Sequence, residues 1–261
     1  MAVYDIDGNR IDVGGGGAGG AVSDVSLNQY DKMCRSINHR GWTGDGAVEN
    51  SIQAFKDSKT HGFYYVETDV RYTSDGEAIL YHDDTISGTT VSSMTYAQVL
   101  AAVPTIALFE DFIALCRDIG LHPYIELKGT QTSTTVAELY DMVAAYQMTG
   151  KVTWICGAKA NLQKVQAIDP SARLGLIGNG TAQNISDVQS LQTSTNEVFL
   201  DGWLTYITAE NLAAIKAAGI TLEAYSFGWT TSEITGMDRY ITGFTSDSLI
   251  AGKVLYDAAM A

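Results

Sequence analysis

The sequence predicts a single (β/α)8 TIM barrel, and three features carry that expectation. Its 261 residues match the roughly 250 that such a barrel takes as one domain. From Arg35 onward, short β-branched or aromatic runs alternate with segments of helical period, the pattern of repeated strand and helix units. A hydrophobic share of 46% against 18% charged residues supplies the apolar surface that a closed core requires.

The elements follow in chain order. Val3 to Val13 alternates around Asp7-Gly8-Asn9, and Gly14 to Gly20 is almost entirely glycine. Residues 1–20 therefore read as a short N-terminal hairpin with a glycine-rich linker. Asp5, Asp7 and Gly8 begin like a calcium loop, but the remaining ligands and the closing Glu are missing, so no ion is assigned there. Residues 21–34 form a lead-in segment and residues 35–261 the barrel. Eight strands are predicted at Arg35–Arg40, Tyr64–Tyr72, Tyr124–Lys128, Val152–Cys156, Arg173–Ile177, Val198–Asp201, Thr221–Ser226 and Ile241–Thr245, with an extra short strand at Ala78–His82. Helices are predicted between them, among them Ser51–Thr60, Val136–Tyr146, Leu162–Ile168, Ala209–Ala217 and Leu249–Ala259, several closed by glycine. Such alternation calls for a parallel sheet. Eight units close into a barrel more naturally than into an open doubly wound sheet, and no GxGxxG follows the first strand.

Charge and cysteine usage narrow the partners. A net charge of -14 and a pI of about 4.5 argue against nucleic acid and anionic membrane surfaces, which are held by clustered Lys and Arg. A phosphate-bearing substrate must then be met locally, by a metal or a few placed cations. Cys34, Cys116 and Cys156 are far apart, with no CxxC spacing, and read as reduced thiols. Neither a leader-like N-terminus nor an apolar run long enough to span a bilayer is present, so a soluble, cytoplasmic chain is expected. An extracellular or particle-associated location is the alternative.

Reacting groups of such barrels sit at the C-terminal strand ends. His39-Arg40-Gly41, Glu67-Thr68-Asp69, His82-Asp83 and Glu126-Leu127-Lys128 occupy those places. Residues two apart on a strand share a face, which pairs Glu67 with Asp69 and Glu126 with Lys128. Three converging carboxylates repel unless a divalent cation relieves them. Hard oxygen ligands select Ca2+ or Mg2+, with Mn2+ also compatible, over zinc. His39 and His82 then serve proton transfer, the base and acid that phosphodiester cleavage needs near neutrality, and Arg40 and Lys128 clamp phosphate oxygens. Each pair alone has a plainer reading, as solvated strand-end charges or an internal ion pair. It is the combination that points to a site.

The remaining candidates read as structural. His61 lies in a helix-terminal Thr-His-Gly, where an imidazole caps carbonyls, and His122 precedes the third strand at the opposite face. Cys156 ends a strand at the reactive face, with nothing nearby in sequence to activate its thiol.

Asn38-His39-Arg40-Gly41, Glu49-Asn50-Ser51, Val66-Glu67-Thr68-Asp69-Val70, Thr73-Ser74-Asp75-Gly76 and Tyr81-His82-Asp83-Asp84 follow one another in order, and Ile125-Glu126-Leu127-Lys128 and Thr245-Ser246-Asp247 come later. This series resembles the glycerophosphodiester phosphodiesterase family over about residues 35 to 250. The resemblance implies metal ligation by Glu67, Asp69 and Glu126, acid/base work by His39 and His82, and phosphate contact by Arg40 and Lys128. Tyr225 and Gly228 stand where a tryptophan and an asparagine are usual, which puts Tyr225 on the substrate-facing wall. Val48 replaces the usual proline, and Ser87-Gly88-Thr89-Thr90 lacks a preceding arginine. A small-molecule glycerophosphodiester is the implied substrate, giving glycerol phosphate and an alcohol. Two other readings are a phospholipase D-like enzyme forming a cyclic phosphate, and a binding module attached to a larger assembly through the N-terminal appendage.

Overall fold

The computed structural model describes residues 3–4, 10–11, 35–225 and 241–247. Two short strands near the start, β1 (Val3–Tyr4) and β2 (Arg10–Ile11), pair antiparallel. The predicted linker at Gly14 to Gly20, Asp5, Asp7, Cys34, Gly228 and the predicted helix Leu249–Ala259 lie outside the described residues.

Eight parallel strands form the barrel: β3 (Arg35–Asn38), β4 (Tyr65–Tyr72), β9 (His122–Leu127), β10 (Thr153–Cys156), β11 (Arg173–Gly178), β12 (Val198–Trp203), β13 (Thr221–Tyr225) and β14 (Ile241–Ser246). The ring closes because β3 pairs with both β14 and β4. Between β4 and β9 an insertion adds β5 (Ala78–Leu80), antiparallel to β4, the small hairpin β6 (Thr85–Ile86) and β7 (Thr89–Thr90), and β8 (Ala107–Leu108), antiparallel to β5.

Helices α1 (Ile52–Thr60), α2 (Tyr96–Ala102), α3 (Phe109–Ile119), α4 (Ser133–Ala145), α5 (Lys159–Ile168), α6 (Ala182–Leu191) and α7 (Ala209–Ala217) follow the strands. Side-chain caps set several starts. Ser51 caps α1, while Thr95, Thr132 and Thr181 each close a capping box. The box at Thr132 starts α4 three residues before the predicted Val136. Leu162 is likewise preceded by a helical turn from Lys159. None of the described helices is long and apolar enough to cross a membrane.

Three strand ends differ from expectation. β3 stops at Asn38, not Arg40, because Arg40 and Gly41 take φ of +53° and +82°. β5 stops at Leu80, not His82: the Tyr81 N–H still reaches the Asp69 carbonyl at 2.9 Å, but the Tyr81 and His82 carbonyls accept from the Arg71 side chain and not from a strand. β9 begins at His122, two residues early, with Pro123 in its second position, where a proline near a strand start is tolerated.

The main core lies between strands and helices, around Phe55, Phe109, Phe112, Ile125 and Trp154. A second cluster, Ile37, Tyr65, Tyr124, Ile155 and Phe199, fills the barrel interior. Gly175 makes room there, since a Cβ would fall 2.4 Å from the Phe199 ring. Below, Arg173 reaches Tyr124 Oη at 2.8 Å and Glu223 Oε1 at 2.6 Å, and Arg35 reaches Glu223 at 2.9 Å. This closed polar network plugs the N-terminal end, leaving the C-terminal end for chemistry.

Candidate active site

The turn after β3 brings backbone and side chains to the mouth. Asn38 accepts from the Ser58 hydroxyl at 2.6 Å, and the His39 N–H donates to the Ser246 carbonyl at 3.0 Å. Gly41 passes so close to α1 that a Cβ would sit 2.8 Å from the Ala54 Cβ, which glycine alone avoids at this positive φ. The turn aims the Arg40 N–H at Glu67 Oε2, 3.1 Å away.

β4 supplies Glu67 and Asp69, and β9 supplies Glu126 from the neighbouring position in register. One oxygen from each lies within 4.8 Å of the others. Asn50 braces the cluster: its Nδ2 donates to Asp69 Oδ2 at 2.9 Å, and its Oδ1 accepts from the Thr68 hydroxyl at 2.8 Å. Lys128 Nζ donates to Glu126 Oε1 at 3.0 Å and lies 3.4 Å from Asp69 Oδ1, while Arg40 Nε lies 3.3 Å from Asp69 Oδ2. The last two are ion pairs without hydrogen-bond alignment, so the buried Asp69 Oδ1 accepts no hydrogen bond.

Electrostatics follow from this packing. Burial pushes Glu67 well above the usual carboxylate range, and Asp69 and Glu126 push it further. Burial and Asp69 raise Glu126, against the pull of Lys128. Asp69 goes the other way: burial opposes its ionisation, but Lys128, Arg40 and Asn50 outweigh it. An all-oxygen donor set holding a buried oxygen with no hydrogen bond fits a hard divalent cation.

Both histidines are held through Nδ1. His82 Nδ1 lies 2.8 Å from Asp83 Oδ1, and His39 Nδ1 lies 3.0 Å from Asp247 Oδ1. An imidazole whose Nδ1 donates to a carboxylate carries its lone pair at Nε2. His82 is close enough to Asp69 and Glu126 to favour their ionisation. A cleft of about 630 Å³ opens beside His82, Glu126 and Lys128.

The predicted residues thus divide into three groups. Arg40, Glu67, Asp69, Glu126 and Lys128 form one linked set at the ends of β3, β4 and β9, while His39, next to Arg40 in the chain, is held by Asp247 and the Ser246 carbonyl. His82 reaches the set from the insertion. Tyr225 stands apart at the end of β13, across the barrel from β9, its hydroxyl pushed up to about 12 by burial, Asp201 and Glu126. Its ring lies 5.6 Å from that of Trp203. Arg40 is also engaged by Glu49, at 3.0 and 3.2 Å, and Lys128 by Glu126, so the plainer ion-pair reading of Glu126 and Lys128 holds as well.

Sequence reasoning gave no role to Glu49, Asn50, Asp83, Asp201 or Asp247. Glu49, Asn50, Asp83 and Asp247 lie inside the motifs already quoted, and that adjacency was the available signal. Asp201 had none. It is buried on β12, with its carboxyl pushed up to about 8 by burial, Glu223 and Glu126.

The other histidines do structural work, with one correction. The His61 ring does not cap carbonyls: its backbone N–H does, while Nε2 lies 2.6 Å from Asp45 Oδ2 and the ring stacks on Trp42 at 4.3 Å. His122 opens β9 at the far end, edge-on to Tyr65. The Cys156 thiol is buried, donates to the Leu127 carbonyl at 3.1 Å and is raised by burial, as a packed thiol should be.

Comparison with known proteins agrees with the resemblance. The family model described as "Glycerophosphoryl diester phosphodiesterase family" matches residues 39–247. Human "Glycerophosphodiester phosphodiesterase 1" is 28% identical over 120 residues, 39% of this chain and 36% of that protein. Matches to the curated relatives cover between 20% and 36% of their length. Among solved structures, a glycerophosphodiester phosphodiesterase from Parabacteroides distasonis superposes with a TM-score of 0.75 at 19% identity, covering 87% of this chain and 99% of that one. An Oleispira antarctica phosphodiesterase, in complex with the product sn-glycerol-3-phosphate, gives 0.72 at 17% identity, covering 89% and 99%. At such identities these structures speak for the fold.

Proposed function

Because the chain belongs to the glycerophosphoryl diester phosphodiesterase family, we propose that it hydrolyses glycerophosphodiesters to glycerol phosphate and an alcohol. The observation that carries this reading is a largely buried three-carboxylate cluster with the carboxylate-held His82 acting on it, and a second carboxylate-held imidazole, His39, on the turn that aims Arg40 at Glu67. The product bound by the Oleispira antarctica relative supports the glycerol phosphate side.

Hydrolysis needs a proton removed from water and one delivered to the leaving alkoxide. His39 and His82 divide these roles, each using Nε2 while its carboxylate steadies the charge that develops on the ring. Glu67, Asp69 and Glu126 would hold a divalent cation, Ca2+ or Mg2+. An ion bound there would supply stabilisation of negative charge on the phosphoryl oxygens. Lys128 and Arg40 supply further positive charge at the same mouth, and Tyr225 lines the opposite wall.

Phosphorus NMR on the purified chain with glycerophosphocholine tests this. Consumption should stop with chelator and resume with Ca2+, Mg2+ or Mn2+, and the product should be glycerol phosphate. A cyclic phosphate signal would instead indicate attack by the neighbouring glycerol hydroxyl. His39→Ala and His82→Ala should each abolish turnover. Full activity in either removes its assigned role, and no consumption of glycerophosphocholine, glycerophosphoethanolamine or an aryl phosphodiester sinks the activity itself.

A further inference from the structure

We infer that Arg71 is a positioning residue for His82: its guanidinium anchors the inserted arm so that the imidazole keeps a set place beside the carboxylate cluster. This rests on the reading of His82 as an acid/base. Arg71 lies two residues beyond Asp69 on β4, and so on the same face, and stands opposite Ile79 of β5 in register. After Leu80 the arm leaves the sheet. The Tyr81 N–H still reaches the Asp69 carbonyl, but the carbonyls of Tyr81 and His82 lie beyond the β4–β5 pairing.

The guanidinium takes over where the strand pairing ends. Nε donates to the Tyr81 carbonyl at 3.2 Å and the His82 carbonyl at 3.1 Å, and Nη2 donates to the His82 carbonyl at 2.6 Å. Nη1 lies 2.6 Å from Asp84 Oδ1. One planar group therefore grips the backbone at His82 and the side chain two residues on. Asp83, which holds His82 Nδ1, sits within that grip. With a side chain only 12% exposed, Arg71 spends these contacts on the arm. A lysine ammonium cannot reproduce the fork, because its donors radiate from a single atom.

The chain has four histidines, few enough to resolve their ring nitrogens by long-range proton–nitrogen NMR. In the wild type, His82 should show one tautomer, protonated at Nδ1. In Arg71→Gln and Arg71→Lys its signals should move toward the averaged pattern of a free imidazole, while those of His39 stay in place. On glycerophosphocholine, kcat should fall on the order of 100-fold in Arg71→Gln, the scale expected for misplacing a reacting group by about 1 Å. KM should stay within about twofold, since no binding contact is lost.

Unchanged His82 signals in both variants overturn the inference whatever the activity. A raised KM with kcat intact overturns it too, by making Arg71 a substrate contact. If the wild type turns over no phosphodiester, the acid/base reading fails, and the ring signals still decide whether Arg71 sets the place of His82. Should Arg71→Gln fail to fold by circular dichroism, Asp84→Asn removes one arm of the grip from an exposed carboxylate. It should shift the His82 signals in the same direction by less, and no shift there counts against the inference.

Discussion

Replacing Asn50 by alanine should destabilise the protein by about 3–5 kcal/mol, although Asn50 is neither a ligand nor an acid/base. Three losses make up that figure. The Nδ2 bond to the Asp69 carboxylate, 2.9 Å long, is charge-assisted and worth about 1.5–3 kcal/mol. The Thr68 hydroxyl, fully buried, loses the acceptor it reaches at 2.8 Å, at about 1–3 kcal/mol. Asn50 also holds φ at +55°, where alanine lacks the asparagine side chain's local hydrogen bonding and costs about 1 kcal/mol more. The terms share one small region and do not add in full. Urea unfolding at neutral pH measures the change. Asp69 is held below the ordinary carboxylate range, so its stabilisation is present above its unfolded pKa and is lost as pH falls through the folded value. The gap between wild type and variant should narrow in acid. Asn50→Asp keeps the backbone tolerance and the acceptor for Thr68 but sets a second carboxylate against Asp69, so at neutral pH it adds like-charge repulsion to the loss of the amide donor. A change below about 1 kcal/mol in Asn50→Ala would refute the bracing role, since any one of the three losses alone exceeds or equals it.

Three further outcomes follow from the same geometry. Ca2+ or Mg2+ at about 100 times its Kd should stabilise the fold by about 2.7 kcal/mol, roughly 5–10 °C in Tm for a chain of this size. Thermal melting checks this: Glu67→Gln should lose most of the shift, and no shift with any divalent ion sinks the metal assignment. Glu49→Gln should release Arg40 from an exposed pair worth at most about 1 kcal/mol, lowering KM about two- to fivefold in steady-state assays, and an unchanged or raised KM would deny Arg40 its phosphate contact. Asp201 has its carboxyl raised to about 8, so the fold favours its protonated form; stability is full below the unfolded pKa and falls as pH rises toward the folded value. Asp201→Asn should therefore be more stable than wild type by a few kcal/mol, on the order of 3–5, at pH 9, with little difference near pH 4. Urea unfolding at both values decides it, and an equal gap at the two would show that the carboxyl does not titrate as described.

The fold was legible because alternation of apolar runs with helical segments is a local pattern, written in each of the eight barrel strands, whereas the two-residue strands β6, β7 and β8 of the insertion are too short to carry it. The site was legible for a related reason: Glu67 and Asp69, two apart on β4, must share a face, and Glu126 stands beside Asp69 in register. Tertiary partners were not legible in that way. Asp247 meets His39 from 208 residues away, and Asn50 meets Asp69 through a left-handed backbone that no periodicity announces. His82 was expected at a strand end. It stands on an arm beyond β5, since its backbone is taken by a side chain and not by a strand. Asp201 was hidden for the opposite reason. It sits in a strand whose buried neighbours read as ordinary core, and only closure of the ring turns it inward toward Glu223 and Glu126.

Charge balance gives the two ends of the barrel opposite characters. At the N-terminal end, Arg35 and Arg173 meet Glu223 and Glu197 at 2.6 to 3.6 Å. Two cations face two carboxylates, and the network is closed. At the mouth, Glu67, Asp69 and Glu126 face Lys128 and Arg40, and Arg40 is shared with Glu49 at the rim. Carboxylates outnumber cations there. The raised pKa values of Glu67, Glu126 and Asp201 follow from burial and neighbouring carboxylates, which outweigh the pull of Arg40 on Glu67, of Lys128 on Glu126 and of Arg173 on Asp201. A divalent cation relieves the same excess by taking the place of those protons, so its binding should release protons and weaken in acid. That exchange also bears on the substrate. A phosphodiester is an anion approaching a protein of net charge -14, and a mouth with excess carboxylate would repel it. Two side-chain cations and one divalent ion would bring the mouth close to neutrality, so an ion held there would also ease the approach of the substrate.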